Sequence, residues 1–514
     1  MLDHHPTMQT LGKIDLKFEE LKSRLSQIQD VEAASALLHW DQATYMPSGG
    51  ARARGRQIAT LRQIAHQKLT APEIGQLLED LRDYENNLPY DSKDASLIRL
   101  TRRNYQQAIQ VPARFMAELS LHQAQAYEVW AKSRPQNDFD AVRPYLEKTL
   151  DLSQELARFF PGYDRIADPL IAYSDYGTNT AMVGQLFGQL RQQLIPIVKA
   201  IAESPPVDDS ALHQQFDESA QTQFCRRAIT RLGYDFQRGR QDTSPHPFTI
   251  GFSINDVRLT TRTYPDDLNQ GLFSTFHEMG HALYEQGIAQ ELEGTPLASG
   301  ISAGMHEAQA RLWENMVARS GAFWEYFYPW LKGVFLRQLG TVSVNKFYRS
   351  INKVSRSPIR TDADEVTYNL HVMIRFDLEL EMLEGRLSIR DLPEAWNERY
   401  RSNLGIVPQN HGEGVLQDVH WYSGTIGGMF QGYTLGNLIS AQLYETALTA
   451  HPEIPVDIER GNFQSLHQWL KENIYRHGCK YTATELLEKV TGTPLSVDPF
   501  IRYIRSKFGE LYEL

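Results

Sequence analysis

The amino-acid sequence predicts a mainly α-helical protein that contains one small β-hairpin. Apolar residues recur every three or four positions through most of the 514 residues, which is the spacing of one face of a helix. The exception is 247–264, where apolar and small polar residues alternate before a run rich in β-branched residues. That pattern is typical of two short strands joined by a tight turn.

The part of the chain before the hairpin is predicted to form a series of amphipathic helices. Proline and glycine at 47–50 mark the first loop, and the polar stretch 204–209 reads as a surface connection. One helix should begin near Pro72, because proline is suited to the first turn of a helix. The predicted helical segments are 13–40, 51–67, the segment after Pro72, 93–133, 139–159 and 179–203.

The hairpin itself is assigned from its alternation and its turn residues. Residues 249–254 alternate, Asn255-Asp256 supplies the turn, and 257–263 forms the second strand. An open strand edge at this place could hydrogen-bond an extended peptide. A small sheet that only packs against helices is the alternative, and the sequence favours neither.

The next segment contains His277, Glu278 and His281 in an H-E-x-x-H arrangement. On a helix, positions i and i+4 lie on one face about 6 Å apart, so both histidines can bind one metal ion. Glu278 is then placed to take a proton from a water molecule at that ion. The alternative is a pair of structural histidines. Helix signals support the first interpretation: Pro265, Asp266 and Asp267 at the start, Gly287 at the end, and a core-facing stripe of Leu272, Phe273, Phe276, Gly280 and Leu283.

Composition argues against several classes of protein. The net charge is −11 and there is no basic stripe, so we expect no nucleic-acid partner. Cys225 and Cys479 lie far apart, which is neither a disulfide framework nor a cysteine metal site and suggests a reducing compartment. Met1 to Thr10 lacks the features of a signal peptide, and no long apolar run predicts a membrane span. We therefore expect a cytoplasmic protein with no membrane partner.

A catalytic zinc usually has three protein ligands, so a third must be found. The metzincin pattern requires glycine at 284 and histidine at 287, and the chain has Tyr284 and Gly287 instead. A glutamate further along is the remaining choice, and the candidates are Glu285, Glu291, Glu293, Glu307 and Glu314. Glu307 is favoured because small residues at 299–304 let the chain turn back before it, and Arg311 could hold its carboxylate.

With these motifs in order, the chain resembles the carboxypeptidase Taq family of zinc metallocarboxypeptidases over essentially its whole length. Five segments match the family's pattern: D-x-R-x-T at 256–260, H-E-x-x-H at 277–281, H-E-A-Q at 306–309, I-R-x-x-A-D at 359–364 and G-x-x-Q-D-x-H-W at 414–421. Ala308 stands where the family has serine, a change that leaves Glu307 in place.

The resemblance implies a single catalytic domain, 1–514, with a two-lobed helical gluzincin fold similar to angiotensin-converting enzyme and neurolysin. A deep groove and a small sheet would lie beside the zinc helix. It further implies a homodimer that releases single C-terminal residues from peptides, with His277, His281 and Glu307 as zinc ligands and Glu278 as general base. Co²⁺ or Mn²⁺ could replace zinc at such ligands.

Residues near the last two motifs are candidates for contact with the substrate. His420 and Tyr433 could stabilise the oxyanion of the tetrahedral intermediate. A carboxypeptidase must also bind a free carboxylate, which suits a buried arginine. We favour Arg360 over Arg258 for this role, and Gln417 and His420 could share it.

Several alternatives stay open at this point. Arg360 could instead form an ion pair with Asp362 or Asp364, Tyr433 could be a core aromatic, and Asp418 could orient His420 or a metal histidine. An endo-acting zinc oligopeptidase would have the same metal site. A non-catalytic helical scaffold is the third possibility, although the presumed ligands and base are all present.

Overall fold

The protein is described here by a computed structural model of residues 8–514, and most of those residues are helical. Before the sheet, the helices are α1 Met8–Thr44, α2 Ala51–Leu69, α3 Pro72–Asp80, α4 Arg82–Asn87, α5 Lys93–Gln110, α6 Ala113–Ser133, α7 Phe139–Arg158, α8 Asp168–Ser174, α9 Thr180–Glu203 and α10 Glu218–Leu232. The predicted fold class is confirmed, and α3 begins at Pro72 as expected.

The second half of the chain continues with helices, and one of them changes type along its length. α12 runs directly into a π-helix over Leu312–Ala318. The helices are α11 Leu268–Gly287, α12 Ala303–Arg311, α13 Gly321–Val334, α14 Leu336–Leu339, α15 Val344–Ile351, α16 Tyr368–Leu383, α17 Leu392–Leu404, α18 His420–Ser423, α19 Gln431–Ala450, α20 Ile454–Glu459, α21 Gln464–Asn473, α22 Ala483–Thr491 and α23 Asp498–Tyr512.

Two predicted boundaries differ from the structure. The segment 93–133 is two helices, α5 and α6, because Pro112 disfavours the helical conformation of the residue before it. The glycine-rich interruption predicted at 424–436 ends at Phe430, and Gly432 and Gly436 lie inside α19. Those two glycines are there for close packing against α12 and not for a loop.

The small sheet has three strands: β1 Gln241–Thr243, β2 Thr249–Ser253 and β3 Asp256–Thr261. β3 is central, pairing antiparallel with β2 and parallel with β1. The hairpin of β2 and β3 is confirmed, with its turn one residue earlier than predicted. β1 was not predicted, because three residues are too few to show a periodic pattern. In this sheet β2 is an edge strand.

The apolar core has two main parts, and α11 lies in the larger one. The stripe predicted on α11 is buried, and Asp267 caps the helix by accepting hydrogen bonds from the backbone of Asn269 and Gln270. The smaller core joins α1, α3 and α5 to the chain that follows α11. Within residues 8–514, no helix has the length and apolarity needed to cross a bilayer.

Candidate active site

The side chains of His277, His281 and Glu307 converge on one point. Oε2 of Glu307 lies 3.6 Å from Nε2 of His277 and 3.7 Å from Nε2 of His281. Ligand atoms around a tetrahedral zinc are about 3.3 Å apart, given bonds of about 2.0–2.1 Å. The three atoms can therefore hold one divalent ion after a small movement, and two imidazoles with a carboxylate are a donor set that such ions accept.

Glycines bring the helices of this site close together. A Cβ on Gly280 of α11 would lie 2.6 Å from Cα of Ala310, so only glycine permits this approach to α12. A Cβ on Gly436 of α19 would lie 2.6 Å from Cγ of Glu307. The two glycines thus bring α11 and α19 against the helix that presents Glu307.

The acidic side chains around the metal ligands have defined partners. Arg311 donates from Nε to Oε1 of Glu307 at 2.7 Å, as predicted for a supporting residue, and also contacts Glu314. Oε2 of Glu314 lies 2.9 Å from Nδ1 of His277 and so orients that ring. Burial opposes ionisation of Glu314, but Arg311 and His277 outweigh it and hold its pKa at about 2.

The other glutamates considered as metal ligands lie away from the point where His277, His281 and Glu307 converge. Glu285 lies 2.8 Å from Nε2 of His306, and Glu293 accepts a hydrogen bond from the backbone of Ile254. Glu291 is exposed. The structure therefore brings Glu307 to the point where the histidines converge, while Glu314 contacts His277 from behind and Glu285 reaches His281 only through His306.

Glu278 is buried beside the ligands and has one side-chain partner. Oγ1 of Thr249 lies 2.8 Å from Oε2 of Glu278 and 2.8 Å from its carbonyl oxygen. Burial raises the pKa of Glu278, with partial opposition from His277 and from the Thr249 hydrogen bond. A raised pKa suits a general base that must later release its proton. The sequence motifs did not identify Thr249 as a partner of Glu278, because Thr249 lies 29 positions earlier, in edge strand β2.

Arg360 belongs to a buried ion cluster. Its partner in that cluster is neither Asp362 nor Asp364, the two possibilities considered from the sequence. It donates from Nε and Nη2 to Oδ1 of Asp418 at 3.0 and 2.7 Å, and from Nη1 to the hydroxyl of Tyr368 at 3.1 Å. Arg375 donates to Oδ2 of the same aspartate at 2.5 Å. Asp364 instead accepts from the backbone of Ser355. The ion-pair partner of Arg360 is therefore Asp418.

His420 and Tyr433 lie beside this cluster. Nε2 of His420 is 3.1 Å from the hydroxyl of Tyr433, and the guanidinium of Arg360 stands 5.3 Å from the centre of the Tyr433 ring. Burial and the charge of Arg360 lower the pKa of His420 to about 4, so its ring is neutral near pH 7. Tyr368 connects the cluster to the metal ligands, because Arg311 packs over its ring at 4.5 Å.

Gln417 holds the backbone that carries Arg360. Its Oε1 accepts from the backbone N–H of Arg360 at 2.8 Å, and its amide group donates to the carbonyls of Pro358 and Glu413. In this conformation both amide hydrogens of Gln417 are donated to backbone carbonyls of the protein. Direct contact of Gln417 with substrate remains a prediction, while its contact with Arg360 is visible.

Arg258 of the D-x-R-x-T segment has a separate set of contacts. It makes two hydrogen bonds of 2.8 Å to Asp256 and packs over the rings of Trp40 and Phe252. These contacts join β3 to β2 and α1. We therefore interpret Arg258 as a residue that fixes the sheet against the N-terminal helix, and its binding of substrate stays a prediction.

A groove of about 910 Å³ reaches the edge strand β2. One side is formed by α1, α2, α5 and α6, and the other by α8 and the loop at 424–429. Ile250 of edge strand β2 lies in its wall, next to the Thr249 that contacts Glu278. The groove therefore borders the edge strand that carries Thr249.

The family model of the carboxypeptidase Taq (M32) metallopeptidases matches residues 20–508. The chain belongs to this family. It is a metallocarboxypeptidase, and membership implies that the site described above binds a divalent metal.

Relatives and solved structures agree over nearly the whole chain. Thermostable carboxypeptidase 1 of Thermus thermophilus is 39% identical, with 93% of this chain and 95% of that protein covered. Carboxypeptidase 1 of Bacillus subtilis is 33% identical, with coverage of 96% and 99%. The crystal structure of an M32 carboxypeptidase from Deinococcus radiodurans superposes with a TM-score of 0.94 at 45% identity, covering 97% of this chain and 100% of the other.

Proposed function

We propose that this metallocarboxypeptidase uses zinc, with Glu278 as general base, to release single C-terminal residues from peptides with broad specificity. The observation that carries this proposal is the position of Glu278, buried next to three convergent ligand atoms. The alternative of an endo-acting oligopeptidase has the same metal site, so the two differ only in how the substrate end is bound.

The metal would be held by His277, His281 and Glu307 through the three atoms that already converge. When bound, zinc lowers the pKa of a coordinated water and polarises a carbonyl group. Two neutral imidazoles and a carboxylate suit zinc, and Co²⁺ or Mn²⁺ could take its place. The network of Glu314 and Arg311 holds His277 and Glu307 in orientation.

Glu278 has the position and environment of the base. Its carboxylate accepts a proton from the attacking water and passes that proton to the amine that leaves. Thr249 fixes one carboxylate oxygen through a 2.8 Å contact, which leaves the other for the water. Because Thr249 sits on β2, a peptide along that strand would be aligned with the base.

In this proposal the pair of His420 and Tyr433 supplies a hydrogen bond to the oxyanion. The ring of His420 is neutral near pH 7, and burial raises the pKa of Tyr433, so its hydroxyl keeps its proton. Their mutual contact of 3.1 Å uses the proton of one of them, and if Nε2 of His420 is the donor, the hydroxyl of Tyr433 is free to donate to the oxyanion. A single donor of this type typically contributes about 10²–10³-fold to kcat.

Arg360 is the candidate for the substrate's carboxylate. Three of the five N–H groups of a guanidinium are donated inside the protein here, which leaves two for a ligand. Arg360 and Arg375 share the single charge of Asp418, so the cluster has an excess positive charge. That excess favours a peptide with a free C-terminal carboxylate.

The cellular setting and assembly are also part of the proposal. A reducing cytoplasm agrees with the two cysteines, neither of which forms a disulfide. A homodimer is proposed from the family resemblance, and light scattering of the purified protein would test it. Peptides are the expected partners, without nucleic acid or membrane.

The decisive experiment compares a peptide with its C-terminal amide. Mass spectrometry should show stepwise loss of single residues from the free acid, resistance of the amide, and loss of activity after metal chelation that added zinc restores. Glu278→Gln should be inactive, whereas Glu291→Gln at an exposed position should be unaffected. Equal cleavage of the amide would favour the endo-acting alternative, and an active Glu278→Gln variant would refute the base.

A further inference from the structure

The two histidines of the metal site are supported in different ways. Nδ1 of His277 meets the carboxylate of Glu314 directly at 2.9 Å. Nδ1 of His281 instead lies 2.6 Å from Nδ1 of His306, and Nε2 of His306 lies 2.8 Å from Oε1 of Glu285. One ligand therefore has a carboxylate partner, while the other has an imidazole between itself and its carboxylate.

We propose that His306 is a positioning residue that connects Glu285 to His281 and thereby sets the affinity of the site for its metal. This inference rests on the proposed function, in which His281 binds the metal through Nε2. Neither the sequence motifs nor the family resemblance assigned a role to His306, and Glu285 was considered only as a possible metal ligand.

The hydrogen positions in this chain of contacts follow from the metal bond. A neutral imidazole that binds a metal through Nε2 carries its proton on Nδ1, so His281 must donate from Nδ1. The acceptor is Nδ1 of His306, which forces the proton of His306 onto Nε2. That proton is donated to Glu285, so all three side chains have one consistent arrangement.

The surroundings of His306 are shaped for its ring. A Cβ on Gly300 would lie 2.4 Å from Cδ2 of His306, so glycine is needed to leave space for it. The backbone N–H of Gly300 donates to Oε1 of Glu285 at 3.0 Å. This contact fixes Glu285, the outer end of the hydrogen-bond relay that runs from Glu285 through His306 to His281. The rings of His281 and Tyr284 flank His306, with centres 4.6 and 5.3 Å away.

The first test is chemical rescue of metal affinity in His306→Ala, measured for zinc by competition with a chelator. We expect about 10–100-fold weaker binding, the usual effect of losing such a partner of a ligand. Added imidazole should restore most of it, because it can accept from His281 and donate to Glu285. N-methylimidazole can only accept and should not restore it.

Wild-type protein in the same additive is the reference for each measurement. An affinity of His306→Ala within twofold of wild type would overturn the proposal. Equal behaviour of the two additives would overturn it as well, because a residue that only fills space would not distinguish them.

A second test uses Glu285→Gln, which keeps an acceptor oxygen for His306 and removes the charge. We expect weaker zinc binding in this variant, but no further loss when it is added to His306→Ala, because the effect of Glu285 passes through the ring. Additive losses in the double variant would contradict the relay. Circular dichroism and thermal unfolding of each variant check that the fold is kept.

The variant His281→Ala distinguishes a failure of the His306 proposal from a failure of the assigned metal ligands. If the wild type binds no metal, or if His281→Ala binds zinc as well as the wild type, then the proposed function has failed. If His281→Ala loses zinc while His306→Ala keeps it, then the relay alone has failed.

Discussion

The ion cluster around Asp418 allows a quantitative prediction, because one carboxylate serves two buried guanidinium groups. The side chain of Arg375 is 0% exposed, and those of Arg360 and Asp418 are 9% and 12% exposed. Asp418→Asn keeps the size of the side chain and removes the charge. Both arginines then lose their shared ion-pair partner in surroundings from which water is largely excluded.

The expected loss follows from these contacts. Two unit charges about 4 Å apart attract by about 4 kcal/mol at an effective dielectric constant of about 20, and Asp418 makes two such pairs. Part of this gain is cancelled by desolvation in the native protein. Removing one partner of a buried pair typically costs roughly 3–5 kcal/mol. We expect a loss of that size, measured as the free energy of unfolding in urea.

The pH dependence gives a second measurement of the same interaction. Burial alone would raise the pKa of Asp418, but Arg375 and Arg360 outweigh burial and hold that pKa well below its usual range. A lowered pKa in the folded state contributes stability that is present above the unfolded value of about 3.9 and is lost as pH falls towards the folded value. The difference between wild type and Asp418→Asn should therefore be constant from pH 5 to 8, on the order of the loss above, and shrink below about pH 4.

The matched control is Asp362→Asn, because Asp362 was a possible partner of Arg360 from the sequence and is exposed in the structure. It should change stability by about 0.5 kcal/mol or less. Asp418→Asn should also raise KM for free-acid peptides, since it releases Arg360 from its position. A loss below about 1 kcal/mol, or an equal loss in Asp362→Asn, would refute the cluster as the support of Arg360.

Three further predictions concern packing, metal affinity and catalysis. Gly280→Ala puts a Cβ 2.6 Å from Cα of Ala310, so unfolding in urea should show a loss of at least about 1–3 kcal/mol. Gly188→Ala in α9, where the added Cβ meets nothing within 4 Å, should instead stabilise by about 0.5–1 kcal/mol, and equal effects of the two would contradict the close approach. Glu314→Gln should weaken zinc binding about 10–100-fold in chelator competition, and unchanged affinity would remove its role as a partner of a ligand. Tyr433→Phe should lower kcat about 10²–10³-fold with little change in KM, and steady-state kinetics with normal kcat would exclude it as an oxyanion donor.

Much of the fold was predictable because helical periodicity is a local property. The stripe on α11, its start near Asp267 and its end at Gly287 could all be identified from neighbouring residues. The break between α5 and α6 at Pro112 has a local cause, whereas another error arose where distant contacts overrode a local signal. Gly432 and Gly436 suggested a loop, but they lie in a helix, where they allow close contact with α12.

The candidate site divides in the same way. The spacing of His277 and His281 sufficed to place both on one helix face, and the motif downstream pointed to Glu307. The partners that support these residues could not be found by spacing. Thr249 lies 29 positions before Glu278, and Asp418 lies 58 positions after Arg360.

By itself, the sequence determined the helical class, the hairpin, the pair of histidines with their glutamate, and the family, because each depends on short-range spacing or on ordered motifs. Only the tertiary structure decided which aspartate holds Arg360, that Thr249 supports Glu278, and that the two histidines have different supports. Each of these contacts depends on how closely two distant segments of the chain approach one another, as α11 and α12 do at Gly280. That approach is set by packing between residues far apart in the chain, for which local spacing has no information.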